Sequence, residues 1–557
     1  MMMRRSIIKT MELEDIRPST EISMTKPKKR SKIVVNLSNC KYPLVEEAVN
    51  SLGWVVSRDE KQTDWDLFWT DTSVSEERVM RLKRFQKINH FAGMNILARK
   101  VGMAKVLRRM GLKLPEHFSF MPQTWLLPSE ASELKMQSRK QEQKWLIVKP
   151  DNGSQGKGIF LTDDSDKACC VSPAGVAQEY IERPFLIDGF KFDMRIYVLV
   201  TSCEPLRVYI YKEGLARFCT EPYVSPSRSN ADIPFVHLTN YSINKRRENF
   251  TCDSYGFSGF KRTFTSICKW LREHGHDPTT IWDEIQKLVG MTLIAAQPSL
   301  ARTYRQLTTW NREDKGTSCF ELLGIDILLD EHLKPWLLEI NHSPSFGCDN
   351  DVDRRVKLEL LTDTLKILNL SSKHKKILRR QERNESASRL YGAAPQRSSL
   401  NAANKVKALR LRHEEDYCGN FERILPPSDA SPHLSSYEDA TVTARSLFDT
   451  SSYEETRPLT SRDSLSTAPS SFGPLLSPLS SSCLPSRRLS KTLSYNSMHA
   501  LPARSDSLSS SSSFFPPPKT SSFQGEGRRI MRGDAGCSWE AGLSFASAMK
   551  LRRVEVH

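Results

Sequence analysis

None of the 12 cysteines in this 557-residue chain stands in a C-x-x-C pair. That spacing marks thiol-redox and structural zinc sites. Its absence, with the cysteines scattered and only Cys169-Cys170 adjacent, favours reduced thiols over a disulfide framework. No run of about 18 apolar residues exists, so no transmembrane helix is expected. The opening MMMRRSIIKTMELED lacks the apolar stretch of a secretory leader. These absences point to a cytoplasmic chain with no membrane segment. No Ser/His/Asp or Cys/His grouping offers nucleophilic catalysis. His90 and His342 are single histidines, expected to serve as local hydrogen-bond partners. No Walker A loop is present either, because the one glycine-rich loop has the wrong spacing and no Ser or Thr after its lysine.

Positive charge is what the chain has in excess. Its formal net charge of +16 suggests an anionic partner. The charge is not spread evenly. From Ser371 to Arg412 there are twelve Lys/Arg against two Glu. Val406, Leu409 and Leu411 suggest one short amphipathic helix inside that segment. Tyr391 is its only aromatic, so it lacks the stacking platforms of a nucleic-acid binder. A basic linker with no fixed partner remains an alternative. Residues 1–32 read as a disordered basic tail, with Lys26 to Arg30 as a conceivable import signal. Beyond about Pro426 the chain is rich in Ser and Pro and is expected to be disordered to 557.

Between Lys32 and about Leu370 lie aromatics and alternating apolar runs. Strands are expected at 33–37, 65–69, 144–149, 176–181, 190–202, 206–211 and 215–219. Helix is expected over 76–110, broken near Gly93, and over 259–300. The irregular alternation argues for an α+β or mixed α/β fold.

The segment FELLGIDILLDEHLKPWLLEIN, 320–341, reads as a β-hairpin around a polar turn. If Asp330 pairs with Pro335, Asp326 faces Glu339, and Asn341 shares the face of Glu339. Like charges directly opposite each other are destabilising. A hard cation such as Mg²⁺, which takes one or two carboxylates plus substrate phosphates, would neutralise them.

Lys149-Pro150 ends an apolar strand and leads into DNGSQGKGIF. Gly153, Gly156 and Gly158 allow the backbone to approach phosphates closely, though a flexible turn would read the same way. Further on, Lys191, Asp193 and Arg195 share one face of a strand, and Arg217 repeats the pattern. His237, Thr239 and Asn240 follow. Cations, amides and a carboxylate set spread along one chain are what phosphoryl chemistry requires.

The stretches SQGKGI, KFDMRIYVLV, EGLARF, HLTNYSINK and KPWLLEINHSPSF resemble the tubulin tyrosine ligase-like family. INHF at 88–91 and FLIDGFKFD at 185–193 resemble its polyglutamylase branch. The resemblance covers roughly 33–370. It implies an ATP-grasp fold of three subdomains, with ATP between two sheets, and addition of free L-glutamate to the acidic tails of tubulin. Lys149, Gln155, Gly156, Lys157 and Gly158 would meet phosphates. Gln178, Glu179, Tyr180 and Ile181 would hold adenine. Lys191, Asp193, Arg195, Arg217, His237, Thr239 and Asn240 would contact nucleotide and the reacting carboxylates. Asp326, Glu339 and Asn341 would hold Mg²⁺. Arg195, Arg217, Lys191 and Gln155 would be catalytic, and Lys105 and Lys245, with the two arginines, would face substrate.

The resemblance further implies a monomer of the cytoplasm and cytoskeleton, with the cilium or basal body as a further location. The cationic stretch 371–425 would bind microtubules. The chain departs from the branch at Ala92, usually proline, and across Arg99 to Val106, where Lys105 would keep a cationic role. A glycine ligase of the same family, or a catalytically weak microtubule-binding protein, stay as alternatives.

Overall fold

The computed structural model describes residues 32–140, 144–170, 174–308, 317–391 and 399–456. Residues 1–31 of the tail expected over 1–32, and residues 457–557 of the tail expected over 426–557, lie outside the described residues. Three sheets organise the rest, in a mixed α/β arrangement. The first is β1 (Val34–Asn39), β2 (Val55–Ser57), β3 (Leu67–Thr70) and β4 (Lys87–Ile88), all parallel, in the order β2-β1-β3-β4. Its first crossover helix is α1 (Pro43–Ser51). The expected helical stretch 76–110 is more broken than its composition suggests. It holds α2 (Glu76–Met80), then β4, then α3 (Asn95–Ala98) and α4 (Lys100–Gly111).

The second sheet is small and antiparallel. It comprises β5 (Thr124–Leu127), β6 (Leu146–Pro150), β7 (Phe160–Thr162) and β8 (Gly175–Glu179), in the order β5-β8-β6-β7, with α5 (Ala131–Lys140) and α6 (Ser165–Cys169) between its strands.

The third sheet is the largest. β9 (Leu186–Ile187) pairs with the start of β10 (Phe190–Cys203), which pairs with β11 (Leu206–Phe218). The two strands expected at 206–211 and 215–219 are thus one strand. It carries an irregularity where Gly214 meets Ile196 but Ile210 already meets Val198. Gly214 suits the kink, since a Cβ there would stand 2.6 Å from the Arg195 carbonyl oxygen. After α7 (Pro234–His237) and α8 (Tyr241–Asn244) comes the edge strand β12 (Lys261–Thr263). The expected helix 259–300 is two helices, α9 (Phe264–Glu273) and α10 (Pro278–Leu307). The break is local chemistry: Gly275 has φ +81°, and Asp277 caps α10 ahead of Pro278. The hairpin β13 (Glu321–Leu329) and β14 (Pro335–Asn341) completes the order β12-β11-β10-β13-β14.

Alternation along β10 explains what this sheet does. Phe192, Met194, Ile196, Val198 and Val200 all face one core, which includes most of α10. The opposite face changes character along the strand. Lys191, Asp193 and Arg195 are followed by Tyr197 and Leu199, which sit in a second core with α1 and α11 (Asp351–Ile367). The charged half of that face is therefore the half that the second core leaves free. Among the described residues no helix is long and apolar enough to cross a membrane.

The chain does not leave the folded body at Leu370, nor lose structure at Pro426. Helix α12 (Ser372–Tyr391) is followed by α13 (Ser399–Asp416), two helices where one short one was expected. Glu414 of α13 is 1% exposed and accepts from Arg207 Nε (2.7 Å) and Tyr209 Oη (2.8 Å) of β11. β15 (Phe421–Leu425) then adds to the edge of β11, and α14 (Leu434–Thr456) packs on α10. Tyr437 lies over Gly290, where a Cβ would come within 2.5 Å of its ring, and donates to the Gln286 carbonyl at 3.0 Å. Ser/Pro-rich composition around it masked an ordinary helix whose apolar side is covered by a partner helix.

Candidate active site

A cleft opens between the small sheet and the charged end of the third sheet. Ile147, Lys149, Gln178, Glu179, Tyr180 and Ile181 line one wall. Lys191, Asp193, Arg217, Asp326 and Glu339 line the other, and His237, Thr239 and Asn240 close one side. These residues are spread over nearly 200 positions of sequence and meet because β8, β10, β11, β13 and β14 end at the same place.

The third-sheet wall is a ladder of directly opposed cross-strand pairs. Asp193 faces Arg217, and Arg195 faces Asp326. Arg217 Nε donates to Asp193 Oδ1 at 2.8 Å, and its Nη2 reaches Asp326 Oδ2 at 2.8 Å. Arg195 forks Asp326 from the other side through Nε and Nη2, the latter at 2.8 Å. Gly324 makes room for it, since a Cβ there would stand 2.9 Å from the Arg195 side chain. Burial works against ionisation of Asp326, but Arg195 and then Arg217 outweigh it and hold the carboxyl well below the usual carboxylate range.

Asp326 does face Glu339, though not through the simple hairpin expected. Leu329, not Asp330, pairs with Pro335, which by itself would slide Asp326 onto Leu338. A bulge between Ile327 and Asp326 inserts one residue and restores the Asp326–Glu339 pairing. It also breaks the alternation, so that Leu338 and Glu339 both line the cleft. Repulsion between the two carboxylates is already offset by cations of the protein. Asp326 has its arginines, and Glu339 Oε2 lies 3.7 Å from Lys100 Nζ. Glu339 Oε1 also accepts from Asn341 Nδ2 at 3.2 Å.

Among the described residues no group of three or more His, Cys, Asp or Glu side chains could hold a metal ion. The donor set here is two carboxylates that line a cation-rich cleft, with the Asn341 amide beside Glu339. That is the sparse oxygen set suited to Mg²⁺ completed by phosphates, rather than an all-protein cage. By that test the residues fit a magnesium ion.

Two lysines on the walls are pushed down to a pKa of about 8 by burial. Lys149 donates to Gln178 Oε1 at 2.7 Å. Lys191 donates to Tyr180 Oη at 2.8 Å. Tyr180 Oη lies 3.0 Å from His237 Nδ1, and His237 Nε2 lies 3.3 Å from Asn230 Oδ1. Burial, then Lys191, lowers His237 to about 4, so its ring is neutral at physiological pH. Charged Lys191 donates to Tyr180 Oη, whose other neighbours are His237 Nδ1 and the Tyr223 hydroxyl.

Not every expected residue reaches the cleft. Gln155, at φ +60°, is exposed and accepts from Ser242 through its carbonyl, and Lys157 is exposed on the same loop. Gly156, Gly158, Arg195 and Asn341 are likewise absent from the lining. Lys105 is exposed on α4, away from the cleft lining. Lys245 is ion-paired to Asp349 at 2.8 Å on the rim. The sequence reading missed Lys100, which is 8% exposed. It stands in the Arg99–Val106 stretch already singled out, but only the turn between α3 and α4 aims it inward. His90 is buried against Glu321 at 2.6 Å, and His342 bonds Ser73 at 2.8 Å, both as local partners.

Residues 78–377 match the model of the tubulin-tyrosine ligase family. The chain is 43% identical over 412 residues to a mouse protein named tubulin polyglutamylase TTLL13, covering 73% of this chain and 50% of that relative. Mouse tubulin polyglutamylase TTLL6 is 44% identical over 419 residues, covering 74% and 50%. A Tetrahymena thermophila protein named probable beta-tubulin polyglutamylase is 40% identical over 413 residues, covering 72% and 34%. The chain thus spans about half the length, or less, of these relatives.

Proposed function

The chain belongs to the tubulin-tyrosine ligase family, and on that premise we propose that it is an ATP-dependent amide-forming ligase that adds glutamate to the acidic tails of tubulin. The observation that carries the reading is the ladder Asp193–Arg217–Asp326–Arg195, set beside Glu339, whose first three members line one lysine-bearing cleft while Arg195 braces Asp326 from behind that lining. We read the three sheets as the subdomains of an ATP-grasp-type fold, with ATP in the cleft between the second and third. Asp326, Glu339 and Asn341 would hold Mg²⁺, which when bound supplies charge neutralisation for the phosphates.

In the first half-reaction a carboxylate oxygen of the acceptor glutamate attacks the γ-phosphorus of ATP. ADP leaves and an acyl phosphate forms. In the second, the amine of free glutamate attacks the acyl carbon, loses a proton, and phosphate leaves. Lys149 and Lys191 would bind the nucleotide phosphates, and Arg195 and Arg217 would stabilise charge on the acyl phosphate and the tetrahedral adduct. Their bidentate carboxylate partners fix both guanidinium planes before substrate arrives, so little reorganisation is needed. Neutral His237 would hold Tyr180 in place beside the phosphate-facing Lys191.

Helix α12 supports a microtubule-docking role. Lys373, Lys376, Arg380 and Arg383 are exposed on it. Lys375 and Arg379 turn inward to Asp64, and Lys375 also to Asp66 at 3.0 Å. A stripe of exposed cations on an anchored helix suits an acidic polymer surface, which would place the protein on the cytoskeleton.

The test is the whole chain with ATP, Mg²⁺ and microtubules, offered labelled glutamate or labelled glycine. ATP-dependent glutamate incorporation is expected. Glycine alone would make it a glycine ligase, and neither would leave a binding protein without turnover.

A further inference from the structure

Helix α4 begins without a cap of its own: Arg99 precedes it in extended backbone, and its side chain makes no capping bond. The first free N–H groups of a helix need acceptors. Here one comes from 50 residues away, where Asp151, first residue of the glycine-rich loop, accepts from the Val101 N–H through Oδ1 at 2.9 Å. The favour is returned. Lys100, the first residue of the same helix, donates from Nζ to the Gly153 carbonyl at 3.1 Å. The loop caps the helix and the helix holds the loop. A carboxylate at a helix N-terminus also gains from the helix dipole.

Lys100 reaches this place because of how the chain turns. α3 and α4 meet tightly, and a Cβ on Gly102 would stand 2.7 Å from the Ile96 carbonyl oxygen. Asp151 is itself fixed, its N–H bonded to the Ala174 carbonyl at 3.0 Å. From the Gly153 carbonyl, the Lys100 ammonium also extends to within 3.7 Å of Glu339. One buried cation thus links the glycine-rich loop to the carboxylate at the cleft mouth.

We propose that Lys100 and Asp151 form a reciprocal clasp that holds the glycine-rich loop against the cleft before nucleotide binds, with Lys100 acting as a positioning residue. The inference rests on the proposed function for its meaning in catalysis, but not for its geometry. A preformed loop spares the nucleotide the cost of ordering it, so loss of the clasp should weaken ATP binding more than the chemical step.

The test is hydrogen exchange on the nucleotide-free full chain, with Lys100→Met, Lys100→Arg and Asp151→Ala beside the parent. The amides of Gly153, Lys157 and Ile159 are the reporters, since each donates within the loop. Lys100→Met should speed their exchange about tenfold or more, the worth of one hydrogen bond to a charged group. Strands β6 and β8 should be unchanged. Asp151→Ala should add the Val101 amide, and Lys100→Arg should restore much of the protection. In kinetics Lys100→Met should raise the KM for ATP with a smaller change in kcat. Loop exchange equal to the parent's, or acceleration shared equally by β6 and β8, overturns the clasp. Because exchange needs no turnover, a failed ligation assay with the expected exchange result would sink the proposed function and leave the clasp standing.

Discussion

Two buried ion networks stand on the third sheet, and they differ in one respect. Of the ladder of Asp193, Arg195, Arg217 and Asp326, all but Arg195 line the cleft. On the β12 edge, Asp353 of α11 lies between Lys261, to which it is ion-paired, and Lys357 at 2.8 Å, and Lys357 also donates to the Gly347 carbonyl at 2.7 Å. Both networks are almost fully buried. Each even has a lysine nearby that burial brings down to about 8: Lys191 beside the ladder and Lys261 in the second group. Yet none of Lys261, Asp353 and Lys357 lines the cleft. Burial and a displaced pKa are therefore poor markers of a site. The Asp353 group closes on itself and clamps α11 to the sheet edge, whereas the ladder leaves Glu339 and the cleft lysines facing open space.

The sharpest break of this contrast comes from one conservative substitution on each side. Glu339→Gln should cut glutamate ligation roughly a hundredfold or more, since several kcal/mol of charge stabilisation would be lost. Its unfolding midpoint should barely move, because the side chain is 29% exposed and outside the core. Parental turnover in the labelled-glutamate assay would remove Glu339 from the chemistry. Asp353→Asn should do the reverse. Uncovering two buried lysines is expected to cost about 3–5 kcal/mol in denaturant unfolding, with ligation per folded molecule retained at low temperature. Normal stability with lost activity would erase the distinction between clamp and site.

A pH series sharpens the same comparison. Lys191 and Lys261 should each lose a proton near pH 8, against 10.5 in the unfolded chain. Between those values the unfolded state binds more protons, so both lysines contribute stability that grows as pH rises through the window. ATP affinity should move the opposite way, because neutral Lys191 and Lys149, which burial also brings down to about 8, offer no charge to phosphate. The KM for ATP should climb by about tenfold or more per pH unit above 8, while the protein unfolds no more readily. A flat KM from pH 7 to 9.5 would take both lysines out of phosphate binding.

The smallest effect concerns α12. Replacing Lys373, Lys376, Arg380 and Arg383 by glutamate should weaken co-sedimentation with microtubules, most at low salt, although each exposed contact is worth about 1 kcal/mol or less. ATP affinity should not change. Lys375 and Arg379 belong in a separate variant, since they pair with Asp64 and stack near Phe85. Equal binding by the four-residue variant at every salt concentration would leave α12 as a structural brace only.

Much of the site was legible in the sequence because strand geometry is local. Side chains alternate along a regular strand, so Lys191, Asp193 and Arg195 had to share a face, as did Glu339 and Asn341, two residues apart. The tertiary structure decided the rest. Which face of β10 stayed uncovered depended on where α1 and α11 packed. That Asp326 meets Glu339 depended on a bulge, and that two arginines stand against Asp326 depended on the order of three strands. Lys100 could not be told from Lys105, five residues away on one helix, until the turn between α3 and α4 pointed one to the cleft and the other to solvent. Composition also hid α14, whose apolar side is visible only once α10 supplies its partner. Periodicity along the chain fixes which side chains stand together on one element, and packing alone fixes what stands opposite them.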